Sequence, residues 1–92
     1  MMEIKTTSKF RKDLKQAKKK GLNIDLLQKI VDDLAAGKKL DERHHDHALV
    51  GDWVSFRECH IQPDWLLIYK ISGNTLILTL ARTGSHSDLF KK

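Results

Sequence analysis

The chain has 92 residues, 40% of them apolar, with 17 lysines and arginines against 12 acids and a formal charge of +5. That is enough for one domain with one compact core, expected to span residues 1–92. No apolar run is long enough to cross a membrane, and Met1-Met2-Glu3-Ile4-Lys5 lacks the apolar segment of a signal peptide. The lone Cys59 excludes an intramolecular disulfide and a thiolate metal cluster, so a reducing cytoplasm is the expected setting.

Taken in chain order, Ile4 to Thr6 reads as a short edge strand. Ser8 is the expected N-cap of a first helix, with Phe10, Leu14 and Ala17 on one face and Gly21 as its stop. Lys5, Lys9, Arg11, Lys12, Lys15, Lys18, Lys19 and Lys20 make this stretch strongly basic. Such charge draws polyanions, nucleic acid first among them, although a merely solvated surface reads almost as well. Asn23 or Asp25 caps a second helix, in which Leu27, Ile30, Val31 and Leu34 follow the i, i+3, i+4, i+7 pattern up to Gly37. The short link implies a helical hairpin.

Lys38 to Asp52 is polar and aperiodic, and reads as a long functional loop. Three β-type runs follow: Trp53 to Ile61, Trp65 to Ile71 and Leu76 to Arg82. The turn chemistry of Gln62-Pro63-Asp64 and Ser72-Gly73-Asn74 joins them as antiparallel hairpins. Helices followed by strands give an α+β fold, with the hairpin on one face of a small antiparallel sheet and the other face left for binding. Leu89-Phe90 is expected to dock back on the domain.

The candidates for chemistry are histidines, which titrate near neutral pH. His44-His45-Asp46-His47 has zinc-like ligand types, but adjacent loop residues do not have the spacing of a known zinc site, so His44 and His45 read as exposed loop residues. His47 differs, because it leads through an apolar anchor into a strand. Strand alternation places Glu58 and His60 on one face, and Asp64 across the turn is the expected partner of His60. A satisfied pair at a turn is the plainer reading of these two. Arg57 and Arg82 could each clamp a phosphate or pair with an acid such as Glu58. His86 follows the last strand in a run of small residues. Phe90 suits base stacking, with core packing its commoner fate. Two imidazoles of opposite protonation would serve RNA cleavage by transesterification without a metal, since RNA carries its own nucleophile.

Asp46-His47-Ala48-Leu49, Gly51-Asp52-Trp53, Phe56-Arg57-Glu58-Cys59-His60-Ile61, Pro63-Asp64-Trp65-Leu66-Leu67-Ile68-Tyr69-Lys70 and Arg82-Thr83-Gly84-Ser85-His86-Ser87-Asp88-Leu89-Phe90 occur in the order seen in YafQ-type toxins. The chain thus resembles this branch of the RelE/ParE toxin–antitoxin superfamily over 46–90. The resemblance implies an mRNA endonuclease acting in the A site of the 70S ribosome, a DinJ-like cognate antitoxin, no cofactor and no membrane. It also implies active-site roles for His47, His60, Asp64, His86 and Phe90. His86 would be the general acid, His60 and His47 would share base and phosphate-positioning roles, and Asp64 would orient a histidine. Glu58 stands where the family often has aspartate, and takes no firm role. The main rival is the ParE-like branch, which poisons gyrase and does not carry this histidine set; a second is a pure RNA-binding module whose basic helices bind and whose histidines only pack.

Overall fold

A computed structural model describes residues 2–73 and 76–90. In chain order it contains β1 (Glu3–Thr6), α1 (Ser8–Lys19), α2 (Ile24–Ala35), β2 (His47–Ala48), β3 (Arg57–Gln62), β4 (Trp65–Ser72), β5 (Ile77–Gly84) and α3 (His86–Phe90). The five strands form one sheet in the order β1-β5-β4-β3-β2. The consecutive pairs are antiparallel, as expected, while the edge strand β1 runs parallel to β5. The sheet is therefore mixed, because the N-terminal strand returns alongside the last one.

The first helix is capped one residue earlier than the sequence suggests. Thr7 Oγ1 accepts from the Phe10 amide at 3.0 Å and also donates to the Ala81 carbonyl at 2.7 Å. A second bond to β5 favours Thr7 over Ser8, since one hydroxyl then fixes both the helix start and its position on the sheet. Asn23 caps α2 by accepting from the Asp25 amide at 3.1 Å. Gly21 and Gly37 close the two helices with φ of 78° and 76°. That left-handed conformation suits glycine, and it lets the Leu22 and Lys38 amides donate back to Ala17 and Asp33.

The apolar faces of α1 and α2 cover one side of the sheet. Phe10, Ala17, Leu27, Ile30, Val31 and Leu34 pack against Cys59, Ile61, Trp65, Leu67, Tyr69, Leu78 and Leu80. Trp65 Nε1 donates to Thr83 Oγ1, which donates in turn to the Leu66 carbonyl, so the buried polar atoms of β4 and β5 satisfy one another. Burial pushes the Cys59 thiol up to about 12. The native protein is accordingly expected to resist thiol-specific reagents at pH 8 and to react at its unfolding rate, which a labelling time course with and without denaturant would show.

The face away from the helices was expected to be left for binding, and it is only partly so. Leu66, Ile68, Ala81 and Leu89 form a second small core there, joined by Leu49, Trp53, Phe56 and Phe90. The expected strand from Trp53 starts at Arg57 instead. A 3-10 turn at Gly51–Trp53 and a positive φ of 79° at Ser55 fold the Trp53 and Phe56 rings onto this cluster. The expected loop from Lys38 carries a 3-10 turn at Glu42–His44 and the two-residue β2. The Ser72-Gly73-Asn74 turn lies partly outside the described residues, since Asn74 is not among them. Leu89 is buried, docking the C-terminal helix as expected.

Candidate active site

The part of that face left open is an acid–histidine cluster built by sheet register. Alternation along β3 turns Cys59 and Ile61 toward the helices and Glu58 and His60 away from them. His47 in β2 is the cross-strand partner of Glu58, which places its ring beside the same carboxylate. His60 is registered opposite Leu66 and Leu66 opposite Gly84, so the end of β5 lies in one row with His60. The chain then enters α3 at His86, next to that row. Gly84 has a φ of 157°, and a Cβ there would come within 3.2 Å of the Asp88 Cβ. Its lack of a side chain lets α3 fold back this closely. Ser85 and Asp88 cap the helix reciprocally, and their bonds hold the Asp88 carboxyl below the usual carboxylate range.

Two subsites with different electrostatics result. In the first, the Oε1 of Glu58 lies 3.6 Å from His47 Nε2 and 3.5 Å from His60 Nε2. Glu58 is only 5% exposed, so these two ring nitrogens stand against a buried carboxylate. His47 Nδ1 donates to the His45 carbonyl at 2.7 Å, which fixes its Nε2 toward the carboxylate. In the second, Asp64 Oδ1 accepts from His86 Nδ1 at 2.9 Å and from the His86 amide at 3.1 Å. These two bonds to His86 hold the exposed Asp64 carboxyl below its ordinary range. The two subsites meet edge to face, with the His60 and His86 ring centroids 5.6 Å apart and Phe90 a further 6.4 Å beyond His86.

Asp64 therefore serves His86, not His60 as the spacing suggested, because the turn carries it past the end of β3 to the start of α3. The partner of His60 is Glu58, which has no firm role by sequence beyond a possible pairing with an arginine; alternation places the two on one face. Arg57 and Arg82 are turned to other work. Arg57 Nε donates to Asp46 Oδ1 at 3.1 Å, and the same oxygen accepts from the buried Tyr69 hydroxyl at 2.6 Å. Arg82 forks onto Asp13 of α1 at 2.6 and 3.1 Å, a bonding that raises its pKa further. His45 is exposed, as expected, and His44 is half-buried, but both are held in place. His44 Nδ1 donates to the His60 carbonyl at 2.7 Å, and the His45 ring stands edge to face on His60 at 5.3 Å.

Glu58, His60 and His86 each offer one ligand atom, and the three atoms lie within 4.8 Å of one another. Two imidazoles and a carboxylate suit a first-row transition ion. The trio is drawn from β3 and α3 and not from the His44–His47 run that carried the metal-like composition. With protons alone, the same cluster pairs a carboxylate-oriented imidazole, suited to donating a proton, with an imidazole–carboxylate group suited to accepting one.

Comparison with known proteins identifies the family and the fold. The family described as the bacterial toxin of type II toxin–antitoxin systems, YafQ, matches residues 2–91. The mRNA interferase toxin YafQ of Escherichia coli K12 is 34% identical over 89 residues, covering 96% of this chain and 95% of that protein. A metal-bound toxin from Helicobacter pylori superimposes with a TM-score of 0.92 at 47% identity, covering 98% of this chain and 100% of that one. YafQ in the E. coli DinJ–YafQ complex gives a TM-score of 0.89 at 33% identity, with 98% and 99% covered. With nearly its whole length matched, the chain belongs to the YafQ family of type II toxin–antitoxin toxins.

Proposed function

We propose that this protein is a ribosome-dependent mRNA endoribonuclease, a single cytoplasmic domain over residues 1–92 that a DinJ-like antitoxin holds in check. One observation carries the reading: an aspartate-oriented His86 meets the His47–Glu58–His60 cluster across 5.6 Å between the His60 and His86 rings. The relatives named as mRNA interferases support the substrate class, and the DinJ–YafQ complex supports the partner. No helix among the described residues is long and apolar enough to cross a membrane.

In this reading the scissile phosphate lies between the two subsites. The His47–Glu58–His60 cluster takes the proton of the ribose 2′-hydroxyl, whose oxygen attacks phosphorus and forms a cyclic phosphate. His86 Nε2, pointed outward because Nδ1 is bound to Asp64, gives its proton to the departing 5′-oxygen. Whichever cluster histidine keeps its proton faces the charge that develops on the phosphoryl oxygens. Phe90, one helical turn from His86, offers its ring to a neighbouring base. Arg57 and Arg82 serve as supports, through Asp46 and Asp13, and the exposed lysines of α1 supply the long-range attraction to RNA. One of the solved relatives is metal-bound, and in this chain Glu58, His60 and His86 would hold a transition ion, which would supply Lewis acidity. The proton transfers described need only the chain's own rings.

The mechanism predicts a bell-shaped pH–rate profile when chemistry limits the rate. Asp64 is held below the ordinary carboxylate range by its bonds to His86, so it remains a charged acceptor that orients the ring throughout the working pH range. Asp64→Asn weakens that hold, and cleavage is expected to fall by roughly tenfold. Single-turnover rates from pH 5 to 9 would show it, and rates equal to wild type would remove Asp64 from the mechanism. The function itself is tested by brief expression followed by mapping of new mRNA 5′ ends. Cuts should fall at a fixed position in the reading frame and vanish from a transcript whose start codon is removed. Cuts that persist in that transcript would refute ribosome dependence.

A further inference from the structure

The row of rings at the site continues past the three histidines given roles above. His45, His60, His86 and Phe90 follow one another with centroid separations of 5.3, 5.6 and 6.4 Å. His45 ends the row on the side opposite Phe90, and its ring is exposed. Beside it opens a cleft of about 670 Å³ that also reaches His60. Pro63 and the exposed Leu26 give this cleft apolar surface, while Arg43 and Lys29 stand at it as cations, Lys29 in an exposed pair with Asp33. Flat apolar surface flanked by positive charge is the chemistry that holds a nucleotide of single-stranded RNA, base on ring and phosphate on cation.

We propose that His45 and this cleft form a nucleobase subsite on the far side of the scissile phosphate from Phe90, an inference that rests on the endoribonuclease reading. Phe90 and His45 then stack the bases on either side of the cut, and His60 and His86 face the phosphate between them. His45 is held for this task. Its backbone is left-handed, with φ 47° and ψ 45°, which is unusual for a residue with a side chain. The turn bearing it is fastened at both ends, by His44 Nδ1 donating to the His60 carbonyl and by the His45 carbonyl accepting from His47 Nδ1. A ring fixed in advance loses little freedom when a base stacks on it.

The left-handed backbone also supplies a clean test. His45→Gly removes the ring at a position where glycine is the relaxed residue, so the melting temperature should hold or rise. Cleavage of one ribosome-bound mRNA by wild type, His45→Gly and His45→Phe is compared, with the bases flanking each cut read from the mapped ends. The expected result is a loss of roughly tenfold in kcat/KM for His45→Gly, recovered largely in His45→Phe, with an unchanged pH profile. The base preference on one side of the cut should relax in His45→Gly. Equal rates and preference in wild type and His45→Gly would overturn the subsite while leaving the nuclease reading intact. A moved pH profile in His45→Gly would also overturn it, since His45 would then carry a proton. Should wild type fail to cut, the nuclease reading falls and the subsite with it.

Discussion

His86→Gln is expected to leave the fold intact and to lower mRNA cleavage by on the order of 10²–10⁴-fold, the usual worth of a positioned general acid. His86 is exposed and contributes little to packing, so its replacement should change stability by no more than about 0.5 kcal/mol. Glutamine can still donate a hydrogen bond to Asp64, but it cannot release a proton to a departing oxygen. The loss should therefore fall on the chemical step, with kcat reduced and KM nearly unchanged. Stability by thermal melting and single-turnover cleavage on programmed ribosomes would separate the two effects. A variant that folds and still cuts at the wild-type rate would take His86 out of the acid role.

Asp46→Ala should produce the largest loss of stability among single changes near the site. Its Oδ1 accepts from both the Tyr69 hydroxyl and Arg57 Nε, and Tyr69 is only 1% exposed. Alanine leaves the proton of that hydroxyl without its acceptor in the core, at a cost of about 2–3 kcal/mol. For a domain of this size the melting temperature should fall by roughly 10–20 °C. A second change, Tyr69→Phe, removes the orphaned hydroxyl and should restore part of the loss. Asp46 also anchors the segment that carries His45 and His47, so activity measured well below the melting temperature should drop on the order of tenfold or more. If Asp46→Ala melts like wild type, the carboxylate is not the anchor of this loop.

The parts of this molecule legible in the sequence were those set by local periodicity and turn chemistry. Phe10 and Leu27 to Leu34 announced two helices by spacing, and Pro63-Asp64 announced a hairpin. Alternation put Glu58 and His60 on one face. The pairings made over long separations were not legible. Asp13 reaches Arg82 across 69 positions, and Asp64 reaches His86 across 22. Nothing near Arg82 in sequence distinguishes a phosphate clamp from a half-buried fork onto an acid. The parallel edge pairing of β1 with β5 likewise depends on where the chain's two ends meet. Adjacent loop residues such as His44 and His45 do not converge as metal ligands, yet a single ring can still stack, and the turn that seats His45 against His60 has no signature beyond Asp41 at its cap.

The end groups of the cleaved mRNA test the central claim most directly. If His86 and the His47–Glu58–His60 cluster move protons in a transesterification, purified protein acting on programmed ribosomes should leave a 2′,3′-cyclic phosphate on the upstream fragment and a 5′-hydroxyl on the downstream one. Upstream fragments ending in a 3′-hydroxyl, with 5′-phosphates downstream, would mean that water and not the 2′-oxygen attacked, and would contradict the mechanism.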